Sequence, residues 1–349
     1  MITISLCMIV KNEEHVLSRC LDSLKGLMDE IIIVDTGSTD KTKEIALKYT
    51  DKVYDFKWCD DFSAARNYAS SFAVCDYIYT ADADEVLDEE NRQAFMQLKQ
   101  VLMPEIDIVQ MCYSGQYESN TVYNFNEEYR AKLFKRVRTF EFKNPIHECL
   151  RTEPIVFDSD IRIFHKPHGI HTDRDIAIFE KHFGNEDSPV ISYDLARMYA
   201  KELYISGTDE QFAGAIGAFE RLLKREGVTP DELQYACVIL SRAYRVTGQA
   251  DRFFKYAVKA LLSESCSEIC MELGDYYREK GDLDEAHLWY YNAAFETTPV
   301  CNIHTGGDKA LNALAEVLEM AGCSEQADEY RRQADEWQKN LLNNSLTNK

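Results

Sequence analysis

Glu30-Ile31-Ile32-Ile33-Val34-Asp35-Thr36-Gly37-Ser38-Thr39-Asp40 decides the fold class. A short apolar run rich in β-branched residues suits a parallel strand buried on both faces. An acidic strand end and a Gly-Ser turn follow, and Asp40 caps a helix expected over 41–49. Working outward, 2–10 reads as a first strand. Residues 13–27 have helical spacing, with Val16, Leu17, Cys20, Leu21 and Leu24 on one face. Lys52-Val53-Tyr54 reads as a strand, 63–72 as a helix, and Tyr77-Ile78-Tyr79-Thr80 as a fourth strand ending at Asp82-Ala83-Asp84. Strand and helix in this alternation predict a parallel α/β sheet. From 109 to 164 the pattern is strand-like, irregular and rich in aromatics.

The chain changes character near residue 185. From about Val190 it is nearly all helical and it repeats. Leu240, Tyr244 and Gly248 are spaced by four, as are Leu273, Tyr277 and Gly281, and Leu314, Leu318 and Gly322. Leu195 and Tyr199 open an earlier copy whose Gly207 arrives four residues late. A second amphipathic stretch follows each glycine. Helix pairs at a period near ~34 resemble tetratricopeptide repeats, in which Tyr199, Tyr244 and Tyr277 are core residues. Two domains are therefore expected, 1–185 and 186–349, the second offering a curved surface for a peptide or for a homodimer.

Composition excludes several classes. The 349 residues carry a net charge of −21, and a pI near 4.8 argues against a nucleic-acid binder, which needs a basic surface. No stretch approaches the ~18 uninterrupted apolar residues of a membrane helix, so no membrane insertion is expected. The apolar start lacks a basic n-region and runs into Lys11-Asn12-Glu13-Glu14, so it reads as a strand and not a signal peptide. Eleven cysteines without paired CxxC motifs suggest reduced thiols in the core of a cytoplasmic protein.

Two features carry chemistry. Asp82 and Asp84 lie two apart at the end of a buried strand, where side chains point the same way. At the carboxyl edge of an α/β sheet they meet a ligand crevice. Hard oxygen ligands there suit Mn²⁺ or Mg²⁺ held jointly with a substrate diphosphate; elsewhere such a pair is commonly a solvated acidic loop. Asp35, at its own strand end, can accept from a base or a ribose hydroxyl, and Gly37-Ser38 lets backbone amides approach a ligand.

Ile4-Ser5-Leu6-Cys7-Met8-Ile9-Val10-Lys11-Asn12-Glu13, Ile33 to Asp40, Asp61-Phe62-Ser63-Ala64-Ala65-Arg66-Asn67 and Asp82-Ala83-Asp84-Glu85 together resemble glycosyltransferase family 2 over roughly residues 1–185. The nearer likeness is to bacterial members with a helical repeat tail, including sublancin-type peptide S-glycosyltransferases. The resemblance implies a GT-A (nucleotide-diphospho-sugar transferase) α/β domain followed by an all-α tetratricopeptide-like domain. It also implies a UDP-sugar donor, a divalent metal and inversion at the anomeric centre. Val10 and Glu13 match positions flanking the base. Asp35 matches the acidic residue that reads uracil or ribose, and Arg66 the arginine of the nucleotide site. Lys11 is placed beside the phosphates. Asp82 matches the ribose contact and Asp84 the metal ligand.

A third metal ligand is expected from Ile163-Phe164-His165-Lys166-Pro167-His168, with His165 the first choice and His168 or His171 the alternatives. The family pattern puts an aromatic and a glycine after this histidine; the Lys-Pro-His here leaves its register open. Inversion needs a base on the acceptor face. Pro145-Ile146-His147-Glu148 resembles an acceptor-side motif, so Glu148 or His147 is a candidate, with Asp60 and Asp61 as rivals. Glu148 could equally sit in an ion pair with Arg130, Lys135 or Arg136. Lys132 to Arg136 offers cations near the donor phosphates or a charged strand face. Tyr113, Tyr117, Tyr123, Phe125 and Tyr129 suit sugar stacking but fit ordinary sheet packing better.

The expected function is metal-dependent transfer of a sugar from a UDP-sugar to an acceptor, a peptide or protein side chain ahead of a cell-surface glycan. An interaction scaffold with a non-catalytic nucleotide-binding front half is the alternative. Intact Asp35, Arg66, Asp82 and Asp84 speak against it. A nucleotidyltransferase ranks last, for want of a glycine- and lysine-rich phosphate loop after the first strand.

Overall fold

The computed structural model describes residues 1–114, 127–138, 140, 142–143, 149–150, 154–166, 172–263 and 265–347. They divide into two compact units, one drawn from residues up to 170 and the other from 171 onward.

The first unit holds an eight-stranded mixed sheet. Its strands are β1 (Ile4–Val10), β2 (Glu30–Asp35), β3 (Val53–Asp55), β4 (Tyr77–Thr80), β5 (Glu85–Val86), β6 (Ile108–Ser114), β7 (Glu127–Lys135) and β10 (Val156–His165), in the order β3-β2-β1-β4-β7-β6-β10-β5. β1 to β4 run parallel, β7 is antiparallel between β4 and β6, and β10 is parallel to β6. β8 (Phe142–Lys143) and β9 (Cys149–Leu150) pair as a separate antiparallel ribbon.

The strands alternate faces as a period of two requires. Ile4, Leu6 and Met8 of β1 and Ile33 of β2 pack with Val16, Leu17, Cys20, Leu21 and Leu24 around α1 (Leu17–Ser23). Cys7, Ile32, Val34 and Ile78 pack on the other face with Ala69, Phe134 and Phe142. Burying an Ile, Leu or Val side chain stabilises by roughly 1.5–3 kcal/mol, so a sheet covered on both faces fixes the register of these short strands. The helices α1 and α2 (Thr42–Ala46) are shorter than their spacing predicts. The apolar face of α1 is buried as expected, but the residues on either side of it, 14–16 and 24–27, form turns. α3 (Phe62–Ser70) and α4 (Glu89–Val101) complete the unit.

The second unit is all helical. α5 (Thr172–Phe183), α6 (Tyr193–Ser206), α7 (Asp209–Gly214) and α8 (Ile216–Lys224) lead into three packed pairs. These are α9 (Pro230–Val246) with α10 (Ala250–Ser263), α11 (Ser267–Glu279) with α12 (Leu283–Tyr291), and α13 (Asp308–Met320) with α14 (Ser324–Thr347). Thr208 and Thr229 form capping boxes with Gln211 and Glu232, and Pro230 sits in the first turn of α9. Gly248, Gly281 and Gly322 take φ of 71°, 79° and 80° just past α9, α11 and α13, the left-handed stop that glycine adopts without steric cost. The late Gly207 instead has φ −63°. Tyr199 and Tyr244 are buried, whereas Tyr277 is half-buried at the rim of its cluster. Among the described residues no helix is long and apolar enough to cross a membrane, and ten cysteines are free thiols, most of them buried.

Candidate functional site at the carboxyl edge of the sheet

β1, β2, β4 and β10 all end at one edge of the sheet, and the candidate residues gather there. Val10, the last residue of β1, is opposite Asp35, the last of β2. The Val10 carbonyl accepts from the N–H of Thr36 at 3.0 Å and from its hydroxyl at 3.1 Å. The loop after β1 is then laced to the loop after β2. Asn12, in the left-handed region at φ 56°, donates its N–H to Ser38 Oγ at 2.9 Å and accepts from the Thr39 N–H at 2.8 Å. The Glu13 N–H donates to Thr42 Oγ1 at 2.7 Å. Asp40 Oδ1 accepts from the Thr42 N–H at 2.9 Å, but the N-cap position of α2 falls to Lys41, so Asp40 stands one residue ahead of the cap expected of it. Lys11 is exposed at the loop's start.

Asp35 is buried at the bottom of this pair of loops, 3 % exposed. Its Oδ1 accepts from the N–H groups of Gly37 and Ser38, both at 2.8 Å. Gly37 has φ 104°, a conformation open to glycine that lets both amides turn back on one oxygen. The other oxygen, Oδ2, is buried with no hydrogen-bond partner. A buried carboxylate oxygen without a donor is costly.

β4 stops at Thr80, so Asp82 and Asp84 lie in the turn beyond it and not on the strand. The turn is closed by the Glu85 N–H donating to the Asp82 carbonyl at 3.1 Å. The two carboxylates consequently find partners on different elements. Arg66 of α3 donates Nη2–H to Asp82 Oδ1 at 2.7 Å. Burial pushes the Asp82 carboxyl up, but Arg66, Lys132 and Arg130 outweigh it and hold the group well below the usual carboxylate range. Asp84 Oδ2 lies 2.9 Å from His165 Nε2. The backbone sets this meeting: β5 pairs antiparallel with β10 in the register His165↔Glu85, and the Lys166 N–H donates to the Asp84 carbonyl at 3.0 Å. The His165 ring lies 5.4 Å from that of Tyr113, whose face the Arg130 guanidinium covers at 3.9 Å. Tyr113 is thus sheet packing beside the site, while Tyr129 is exposed.

Asp61 is the N-cap of α3. Its Oδ1 accepts from the Ala64 N–H at 3.1 Å and from the Ser63 hydroxyl at 2.7 Å. Glu148, His147, His168, His171, Tyr117, Tyr123 and Phe125 lie outside the described residues.

Two relationships were not read from the sequence. Lys132 Nζ donates to both oxygens of Glu85, at 2.7 and 2.8 Å, directly beside the paired carboxylates. Asn67 pairs with both backbone groups of Phe142. Lys132 alternates with apolar Leu133 along β7, the pattern of a strand with one charged face, so nothing local marks it as buried. The signal for Asn67 was its place beside Arg66.

The donor set tests whether a divalent ion fits. Asp84 and His165 offer one carboxylate oxygen and one imidazole nitrogen, a mixed set that Mn²⁺ accepts. In the structure Asp84 Oδ2 and His165 Nε2 stand 2.9 Å apart, at ordinary hydrogen-bond distance. Among the described residues no group of three or more His, Cys, Asp or Glu side chains is placed to hold a metal ion.

Residues 5–162 match the model of glycosyl transferase family 2. Among curated proteins, a TPR repeat-containing protein of Synechococcus elongatus is 38 % identical over 151 residues, 43 % of this chain and 36 % of that one. The SPbeta prophage-derived glycosyltransferase SunS of Bacillus subtilis is 30 % identical over 175 residues, 47 % of this chain and 39 % of that one. The chain thus spans well under half the length of these relatives. Among solved structures, S. aureus TarS 1–349 superposes with a TM-score of 0.38 at 13 % identity, covering 74 % of this chain and 90 % of that one. Glucosyl-3-phosphoglycerate synthase of Mycobacterium tuberculosis with Mn²⁺ and UDP-glucose gives 0.38 at 16 % identity, covering 51 % and 75 %. At these scores both are distant likenesses.

Proposed function

We propose that this chain, whose residues 5–162 are a glycosyl transferase family 2 domain, transfers a sugar from a UDP-sugar to a peptide or protein side chain with inversion. The observation that carries the reading is the convergence at one sheet edge of an unpartnered Asp35 Oδ2 with the Arg66–Asp82 and Asp84–His165 pairs. Asp35 Oδ2 would accept the imide N–H of uracil or a ribose hydroxyl. Asp82, kept ionised by Arg66, would take a ribose hydroxyl. Val10, Lys11, Glu13, Gly37 and Ser38 would line the base and the phosphates.

Asp84 and His165 would hold Mn²⁺ or Mg²⁺. The bound ion supplies charge neutralisation on the departing diphosphate. Arg66, Arg130 and Lys132, the three cations that act on Asp82, add positive potential from the protein where negative charge develops. The base that deprotonates the acceptor is sought in Glu148 or His147. Asp61 is committed to its cap and ranks behind them. The paired helices of the second unit support a polypeptide acceptor, because stacked helix pairs build extended concave binding surfaces. A net charge of −21 would steer a basic acceptor, an attraction that salt weakens. A scaffold with a non-catalytic front half is the poorer reading, since it has no use for a partnered Asp84–His165.

The test is thermal unfolding of the full chain against a panel of nucleotide sugars, each with Mn²⁺ and with EDTA. A ligand at ~100 times its Kd adds roughly 2.7 kcal/mol. A manganese-dependent rise in Tm with one UDP-sugar supports the reading and names the sugar. No rise with any of them turns the function over to the helical unit.

A further inference from the structure

Lys132 is the extra residue of a β-bulge. Between β6 and β7 the register runs Val109↔Leu133 and then Gln110↔Ala131, one step on β6 against two on β7. Strict alternation would place Lys132 on the face of Phe134, which packs with Cys7, Ile32 and Phe142. The bulge breaks that alternation. Ala131 and Phe134 both pack on that face, while Leu133 packs on the other with Tyr79, Tyr113 and Ile163. Lys132 joins the second face: its Nζ lies 5.9 Å from the Tyr79 ring centroid and donates to both oxygens of Glu85. β6 and β10 stand between β7 and β5 in the sheet, so the pair ties together strands that are not neighbours.

Glu85 is the residue on which the Asp82–Asp84 turn closes. Its N–H donates to the Asp82 carbonyl at 3.1 Å, and its backbone is in register with His165. The strand that makes this register, β5, has two residues and lies at the edge of the sheet, so it has little pairing of its own. A buried carboxylate needs a partner, and Lys132 supplies one from the interior of the sheet. We infer that Lys132 is a positioning residue: by gripping Glu85 it fixes the turn against β10 and so preforms the Asp84–His165 pair that would hold the ion. The role rests on the metal site of the sugar-transfer reading. Two effects of Lys132 then oppose each other. As one of the cations acting on Asp82 it repels a metal ion, so loss of its charge alone would tighten metal binding. As a positioning residue it keeps the ligands in place, and losing such a partner weakens metal binding about 10- to 100-fold. The sign of the change separates the two.

The experiment titrates Mn²⁺ alone into the full chain at pH 8 and reads the free ion by electron paramagnetic resonance. Lys132→Met is expected to bind Mn²⁺ at least about tenfold more weakly than the wild type. The double variant Lys132→Met with Glu85→Met leaves no unpaired buried charge, and it should bind Mn²⁺ as weakly as the single variant. It stands in should the single variant not fold. Leu27→Ala, a buried core variant, controls for lost stability and should keep its Mn²⁺ affinity within about twofold of the wild type. Equal or tighter binding by Lys132→Met, wild-type affinity in the double variant, or an equal loss in Leu27→Ala would each overturn the role. A wild type that binds Mn²⁺ only with UDP present also overturns it, since the pair is then not preformed, and leaves the sugar-transfer reading standing. A wild type that binds no Mn²⁺ with or without UDP defeats both.

Discussion

Lys132 Nζ sits 2.7 Å from Glu85 Oε1 and 2.8 Å from Oε2, and both side chains are less than a tenth exposed. The pair ties β7 to the turn that carries Asp82 and Asp84. Burial, with the added repulsion of Asp82 and Asp84, pushes the Glu85 carboxyl up to about 7 against the pull of Lys132. A folded-state value above the unfolded one means that the native protein binds the extra proton. Stability attributable to Glu85 is therefore greatest below the ordinary glutamate range and falls as pH rises toward 7.

Lys132→Met should expose this coupling. Removing one partner of a buried pair costs roughly 3–5 kcal/mol, but Glu85 can escape by taking up a proton. The loss should be large at pH 8 and clearly smaller at pH 5. Urea unfolding at the two pH values measures it. An equal loss at both would mean that Glu85 does not hold the proton.

Arg66→Met removes the nearest cation from Asp82. In the wild type the depressed Asp82 contributes stability that is present above the usual carboxylate range and lost only in strong acid. In the variant its titration should move up toward the ordinary carboxylate range. Acid unfolding should then begin at higher pH, and UDP affinity should fall at least about tenfold, as for a lost charge-assisted bond. Unchanged acid unfolding would remove Arg66 from the account of Asp82.

Asp35→Asn keeps an oxygen for the Gly37 and Ser38 amides and converts the unpartnered Oδ2 to a donor. Losing a hydrogen bond to a charged group costs roughly 1.5–3 kcal/mol, which is about a 10- to 150-fold loss of UDP affinity. Calorimetric titration of the folded variant checks this. Wild-type affinity would show that Asp35 faces no ligand.

Gly281→Ala forces a Cβ onto φ 79°. Left-handed backbone costs an L-residue roughly 1–2 kcal/mol. Nothing lies within 4 Å of the added atom, so the cost is conformational alone. Gly274→Ala differs, because its Cβ would stand 2.5 Å from the Tyr290 ring, and the cost is repacking the α11–α12 contact. Thermal unfolding should rank Gly274→Ala below Gly281→Ala.

The sheet and the helix pairs were legible because their signals are local. The run Ile31 to Val34 announces a strand buried on both faces, and Gly248, Gly281 and Gly322 mark helix ends by a backbone need that other residues meet poorly. The meeting of Asp84 with His165 was legible only through a family pattern, since 80 intervening residues are closed by β5–β10 pairing that no two-residue strand advertises. α4 went unread although Asp88, followed by Glu89, Glu90 and Asn91, has the form of a capped start, and its Asp88 Oδ1 accepts from the Asn91 N–H. The Glu85–Lys132 and Asn67–Phe142 contacts join residues 47 and 75 apart. They depend on strand order, which periodicity does not encode.

The most direct measurement is calorimetric titration of UDP with Mn²⁺ into the wild type and Asp84→Asn. The account predicts binding to the wild type that EDTA abolishes, and no manganese-dependent binding to a variant that stays folded by circular dichroism. Equal, manganese-dependent affinity in Asp84→Asn would contradict the placing of the ion, and the diphosphate with it, at Asp84 and His165.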